Sequence, residues 1–282
     1  MLINLLLASL FYINAPAIEM REQPKVDSEV VSQAYYSEEA QILKEGKDWV
    51  KIETLVDHYQ GWVPRTALLG REEQFLTPSS TTAKVNRNAA HLYDVKDTIY
   101  GPLLTLPYES KLKVLDQEES NSRWIKVGLV DGREAYIQRG DIVIQPANIN
   151  REQMCTLSLH FLGLPYTWGG RSSFGYDCSG FVQMLYRQMG ILIPRDSKDQ
   201  IRWNGFTNVA LDALTPGDLI YFGLAKDKIR HVGMYLGNKQ FIHATVAENA
   251  PYIHISNLSD DEWNGFGRFT YVAGRKLAEV RY

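Results

Sequence analysis

The sequence predicts two small all-β domains followed by an α+β domain. Two observations predict it. An aromatic, β-branched strand pattern occurs twice, with Trp49 and Trp124 lying 75 residues apart. After Pro146 the periodicity changes, first to helical spacing and then to short strands.

Composition agrees with a folded chain of several domains. Of 282 residues, 45% are hydrophobic and 22% charged, which excludes disordered, collagen-like and coiled-coil chains. Thirty basic and thirty-three acidic residues give a net charge of -3, so no nucleic acid is expected as a partner. Two cysteines, Cys155 and Cys178, are too few for a disulfide scaffold and must act singly or as one bridge.

The stretch Met1–Ile13 is apolar and uncharged. It lacks the basic region of a secretory signal and is too short to span a bilayer, so it reads as a buried N-terminal helix or strand. Trp49-Val50-Lys51-Ile52 is followed by Gly61-Trp62-Val63, and Trp124-Ile125-Lys126-Val127 by Ala135-Tyr136-Ile137. Apolar and polar residues alternate in each, as half-buried antiparallel strands require. Leu76 to Ala83, with Pro78-Ser79-Ser80-Thr81-Thr82, reads as the linker between the two copies. The domains expected are 14–75, 76–147 and 148–282.

In the third domain, Met154, Leu157, Phe161 and Leu162 mark one helix, and Phe181, Val182, Leu185 and Met189 another. Glycines 163 and 190 close them. Strands are expected near 218–222, 231–236, 240–245 and 270–273.

Cys178 opens the second of these helices. Unpaired backbone N–H groups and the helix dipole favour negative charge there, so a lowered thiol pKa and a nucleophilic role are expected. Its polar flanks, Asp177 and Ser179-Gly180, make a turn and not a core. A nucleophile needs a base, and the base an orienter. In the hairpin around Gly237-Asn238, pairing residue 232 with 242 puts His231 and His243 on one face. That register implies a three-residue loop, Leu236 to Asn238. His231 reads as base and His243 as orienter of its far nitrogen. Zinc would need further ligands at short spacing, so no metal and no cofactor are expected. Cys155 reads as core. His58, His91, His160 and His254 have no partner in sequence and read as solvated surface.

These residues carry a family resemblance. Tyr166-Thr-Trp168-Gly-Gly, Asp177-Cys178-Ser179-Gly180-Phe181-Val182, Pro194-Arg195-Asp196-Ser197, Pro216-Gly217-Asp218-Leu219, His231-Val232-Gly233 and Phe241-Ile242-His243-Ala244 occur in order. Over about 150–275 the chain resembles the NlpC/p60 cysteine peptidases of bacterial cell-wall turnover, which are papain-like. The two upstream barrels are similar to bacterial SH3-like domains.

The resemblance implies a peptidoglycan endopeptidase. It would cut the γ-D-glutamyl bond to meso-diaminopimelate or lysine in stem peptides. Cys178 would be nucleophile, His231 base and His243 orienter, with Tyr166 and the Cys178 N–H meeting the oxyanion. Asp177, Ser179, Arg195, Asp196 and Ser197 would line the peptide site, with Trp168 as an apolar wall. In some relatives the first barrel recognises a free N-terminal L-alanine amine, and Tyr59, Glu29 and Asp196 are the candidates here. The alternatives are an N-acetylmuramoyl-L-alanine amidase or acyltransferase using the same thiol, and a non-catalytic wall-binding protein. A monomer acting on free stem peptides in cytoplasmic recycling is favoured over a periplasmic or envelope enzyme. No membrane span is expected.

Overall fold

Strands dominate, and they assemble as the alternating patterns dictate. The protein is described by a computed structural model over residues 10–116, 122–263 and 269–278. The chain forms two compact units. The first takes in the chain up to Ala147 together with Ser172–Phe174, and the second the remainder.

The first unit contains two antiparallel seven-stranded sheets. One is built from β1 (Leu10–Ile13), β2 (Ala17–Arg21), β3 (Val30–Tyr35), β4 (Glu39–Glu45), β5 (Trp49–Thr54), β6 (Gln60–Pro64) and β7 (Leu68–Arg71). The other is built from β8 (Thr82–Val85), β9 (Ala89–Tyr93), β10 (Leu104–Pro107), β11 (Lys111–Asp116), β12 (Trp124–Gly128), β13 (Glu134–Gln138) and β14 (Ile142–Ile144). The strand orders are β3-β2-β6-β5-β4-β1-β7 and β10-β9-β13-β12-β11-β8-β14, so the second repeats the first seven strands on. In both sheets a 3₁₀ turn, Arg65–Ala67 or Arg139–Asp141, precedes the last strand. The repeat seen at Trp49 and Trp124 is therefore a repeat of topology.

The first barrel was expected to begin at residue 14. It includes β1, whose residues pair with both β4 and β7, and Ile13 is fully buried. The apolar N-terminal stretch supplies a central strand, as far as the described residues reach; Met1–Ser9 lie outside them. The segment read as a linker also differs. Thr82 already belongs to β8, and Tyr12, Tyr36 and Phe75 of the first half pack into the core of the second. The Tyr36 hydroxyl accepts the Val130 N–H at 2.8 Å, and the Tyr12 hydroxyl accepts the Phe75 N–H at 3.0 Å. Tyrosines suit this role because an apolar ring reaches the core while the hydroxyl meets a backbone donor.

In the second unit, α1 (Arg151–Ser158) starts at Asn150 with a reciprocal capping box to Gln153. A short hairpin follows in the chain, β15 (Arg171–Ser172, its Ser172 counted with the first unit) and β16 (Gly175–Tyr176), then α2 (Cys178–Gln188) and α3 (Ser197–Gln200). The sheet is β17 (Phe206–Val209), β18 (Leu219–Gly223), β19 (Ile229–Gly237), β20 (Gln240–Thr245), β21 (Tyr252–Asn257) and β22 (Tyr271–Leu277), in order β17-β22-β18-β19-β20-β21. β17 and β21 carry no alternation strong enough to announce them in sequence. α2 packs on β19 and β20. Phe181, Val182, Met184 and Leu185 are fully buried, as are Val232, Met234, Ile242 and Ala244. A helix apolar around most of its surface belongs inside, and this one fixes its first residue, Cys178, against the sheet.

Candidate active site

The site is built on the start of α2. Asp177 is its N-cap, and its side chain accepts the Gly180 N–H at 2.7 Å. Such a cap contributes about 1 kcal/mol. The same carboxylate is held by Arg195 Nη2 at 2.6 Å and Nη1 at 3.0 Å, and Arg195 also donates to Ser179 Oγ at 2.9 Å. Gly180 permits the close approach of the preceding loop, since a Cβ there would stand 2.2 Å from the Gly170 carbonyl oxygen. Asp177, Ser179 and Arg195 are buried and engaged with one another. They brace the helix terminus.

The histidines come from the β19–β20 hairpin. They share a face as expected, but the register differs. Met234, not Val232, lies opposite Ile242. The loop is a two-residue turn, Asn238-Lys239, with φ of 51° and 61°, and a bulge falls between Tyr235 and Gly237. A two-residue turn alone would place the histidines on opposite faces, and the extra bulge residue restores the parity. His231 and His243 are consequently diagonal neighbours. His231 Nε2 and His243 Nδ1 are 2.7 Å apart, and His243 Nε2 lies 3.0 Å from Ser256 Oγ on β21.

An aromatic cage surrounds the pair. The Trp263 ring centre lies 5.3 Å from that of His231 and 4.9 Å from that of His243, and Phe269 stacks on Trp263 at 4.9 Å. Phe222 and Phe241 complete the cluster. Burial drives the His231 pKa down to about 3, with a smaller push from His254. His243 is lowered by burial and then by His231 and His254. Both imidazoles are thus held neutral.

Cys178 behaves differently from the expectation. Burial, and then the Asp177 carboxylate, push its thiol up to about 12. The N–H groups of Val232 and Ser179 reach the sulfur and oppose this, as does Arg195, without prevailing. Desolvation wins over the helix terminus. The thiol stands at the backbone of the residue next to His231. Among the described residues it makes no hydrogen bond to that imidazole.

The remaining expected residues divide between the two units. Tyr166 is half-buried, and its phenol is raised by burial and then by Cys178 and Asp177, so it remains a hydroxyl donor. Trp168 is 63% exposed. Asp196 and Ser197 are half-buried at the start of α3, and Asp196 Oδ2 lies 3.3 Å from Lys198 Nζ. Tyr59 and Glu29 belong to the first unit. Tyr59 is half-buried against the first barrel's core, and Glu29 is exposed. Among the described residues no three His, Cys, Asp or Glu side chains converge as a metal site.

Three residues at the centre were missed. His254, read as unpartnered surface, pairs with His243 across the β20–β21 ladder, with ring centres 4.7 Å apart. Ser256 and Trp263 carried no signal at all. Only the β21 register brings the first two in, and the spacing His254-x-Ser256 matches one strand face.

A capped thiol on a helix packed against a sheet that carries hydrogen-bonded histidines defines the thiol-hydrolase class. Residues 163–267 match the NlpC/P60 family, and residues 20–68 match the bacterial dipeptidyl-peptidase SH3 domain. A γ-D-glutamyl-L-lysine dipeptidyl-peptidase of Bacillus cereus is 32% identical over 237 residues, 78% of this chain and 68% of that protein. Its namesake in Bacillus subtilis is 29% identical over 231 residues, 77% of this chain and 73% of that protein. The crystal structure of an NlpC/P60 family protein from Bacillus cereus superposes with a TM-score of 0.82 at 25% identity, covering 95% of this chain and 99% of that one. The chain belongs to the NlpC/P60 family.

Proposed function

We propose that the protein is a cysteine endopeptidase that hydrolyses the γ-D-glutamyl–diamino acid bond of peptidoglycan stem peptides. The observation that carries this is the hydrogen-bonded line His231–His243–Ser256 beside a thiol at a helix N-terminus. The similarity to γ-D-glutamyl-L-lysine dipeptidyl-peptidases supports the bond assigned.

The line sets the tautomers. With His243 Nε2–H donating to Ser256 Oγ, His243 Nδ1 accepts from His231 Nε2–H. His231 Nδ1 then carries the lone pair that takes the thiol proton. Because thiol and imidazole are both held neutral, that proton leaves as the sulfur attacks the γ-carbonyl. The oxyanion is met by the Cys178 N–H and the Tyr166 hydroxyl. The imidazolium returns the proton to the departing amine, and the C–N bond breaks to leave a thioester. Water, deprotonated by His231, attacks the thioester, releases the L-Ala-D-Glu segment with a free γ-carboxylate, and the proton returns to the sulfur to restore the thiol. Asp177 and Arg195 act as positioning residues that keep α2 and its thiol in place. Trp168, Asp196 and Ser197 contact the peptide.

We further propose a preference for stem peptides with a free N-terminal L-alanine, and action as a monomer on small peptides in cytoplasmic recycling. Among the described residues no helix is long and apolar enough to cross a membrane. Incubation with intact muropeptides, free tripeptide and N-acetylated tripeptide, with fragments identified by mass, tests the reading. Release of the diamino acid from the free tripeptide alone is expected. Release of the whole stem from N-acetylmuramic acid would identify an amidase instead.

A further inference from the structure

The short helix α3, Ser197–Gln200, is tied to the nucleophile helix at both of its ends. Just before its start, Arg195 reaches back to Asp177 at 2.6 and 3.0 Å and to Ser179 Oγ at 2.9 Å. At its end stands Gln200, fully buried, which the reaction so far described does not use. Lys198 and Asp199 between them are exposed, so α3 is held by its inner side.

Gln200 Nε2 lies 2.8 Å from the Pro194 carbonyl oxygen, 3.1 Å from that of Ser179 and 3.5 Å from that of Arg195. Three acceptors around one atom fix which end of the amide carries the hydrogens. Among the described residues the other end, Oε1, is buried and accepts no hydrogen bond. An unpaired buried amide oxygen lowers stability, so packing alone would favour an apolar side chain of the same shape. What the amide contributes is its donors.

Those donors complete a short path. The Gln200 backbone N–H donates to the Asp196 carbonyl at 2.9 Å. Its side chain donates to the carbonyl of Ser179, the residue after Cys178. Two hydrogen bonds through one residue therefore join Asp196 to the neighbour of the nucleophile. Gln183 adds a further stitch from α2, its Nε2 donating to the Ile193 carbonyl at 3.2 Å. Arg195 alone would leave α3 free to pivot about its start, and Gln200 fixes its direction.

We propose that Gln200 is a positioning residue that holds Asp196 and Ser197 at a set distance from the Cys178 sulfur, and so fixes the register in which the stem peptide meets the thiol. This role rests on the peptidase reading, in which Asp196 and Ser197 contact the peptide. Reacting atoms must come within about 3–3.5 Å, and a misplacement of about 1 Å costs on the order of 10²-fold. A pivot of α3 produces such a misplacement while thiol and histidines stay where they are.

Gln200→Met tests it, since methionine keeps the length of the side chain and removes both donors. Gln200→Glu, which keeps the shape and loses both N–H groups, is read in the same way should the first variant not fold. Three readouts are taken on the full chain. The first is a double-mutant cycle with Asp196→Asn on kcat/KM for L-Ala-γ-D-Glu-diaminopimelate. Gln200→Met is expected to lower kcat/KM at least about tenfold, and the loss caused by Asp196→Asn to shrink at least about threefold in its presence. The second is the rate of Cys178 alkylation by iodoacetamide, which needs no peptide and is expected to stay within about twofold. The third is hydrogen exchange of the Asp199, Gln200 and Ile201 amides, which bond back to Asp196 and Ser197. It is expected to quicken at least about tenfold while α2 keeps its protection. Equal Asp196→Asn losses in both backgrounds overturn the proposal and leave the peptidase reading standing. A fall in alkylation that matches the fall in turnover also overturns it, because Gln200 would then support the thiol itself. If the unaltered chain leaves the peptide uncut, the peptidase reading falls, and the exchange decides the tether alone, an unchanged rate in the variant excluding it.

Discussion

His231 Nε2 and His243 Nδ1 stand 2.7 Å apart although the two residues are not directly opposite in their hairpin. The ladder that pairs Met234 with Ile242 sets Gly233 against His243, so the imidazoles meet on the diagonal, over a position without a side chain. The chemistry proposed for the site depends on that arrangement.

Removing the second ring should expose its role. His243→Ala leaves His231 free to take either tautomer and to rotate. A loss in kcat on the order of 10³ is expected, as for an orienting group in a catalytic triad. His243→Asn returns an acceptor and should recover part of it. Turnover equal to that of the unaltered chain would exclude His243 as orienter.

Gly233→Ala probes the diagonal itself. The added Cβ would lie 2.7 Å from Phe241 Cδ2 and 3.2 Å from His243 Cβ. Both neighbours are packed against Trp263 and cannot retreat freely. We expect destabilisation of about 1–3 kcal/mol in denaturant titration, together with reduced kcat. Full activity at full stability would show that the rings have slack.

How far the sequence reveals this site depends on which forces set each part. Cys178 is legible because a cap, a helix and a thiol are adjacent in the chain. The shared face of the histidines is legible because strands have a period of two. The register is not, because nothing in Tyr235-Leu236-Gly237 distinguishes a bulge from a longer loop. The thiol pKa was misjudged because the helix terminus is a local feature, whereas desolvation comes from distant residues. Ser256, Trp263 and His254 enter through β21 and the segment after it, whose pairing no local pattern announces. The first barrel's β1 was hidden in the same way, its apolar run being equally suited to a strand, a helix or a signal.

The Asp177–Arg195 pair makes a different prediction, about stability before activity. Their side chains are 13% and 2% exposed. Asp177→Ala strands a buried guanidinium and removes the cap of α2, so a loss of about 3–5 kcal/mol is expected in chemical unfolding. A change below 1 kcal/mol would mean that the pair behaves as a surface contact. The double variant Asp177→Ala/Arg195→Met should recover part of the loss.

Acid should weaken the protein through the buried histidines. Their folded pKa values lie below the ordinary 6.5, with His231 at about 3. The unfolded chain therefore takes up protons first as pH falls. Stability is retained above pH 6.5 and declines between 6.5 and about 3, at up to about 1.4 kcal/mol per pH unit for each histidine. Unfolding midpoints measured across that window check this, with His231→Phe expected to flatten the slope. A variant slope as steep as the original would assign the acid sensitivity to other groups.

The most direct test of the peptidase account is the cleavage of L-Ala-γ-D-Glu-diaminopimelate by the unaltered chain and by Cys178→Ala, followed by mass spectrometry. The account predicts L-Ala-D-Glu and free diaminopimelate from the first and intact tripeptide from the second. An uncleaved peptide with the unaltered chain, or equal product from Cys178→Ala, would contradict it.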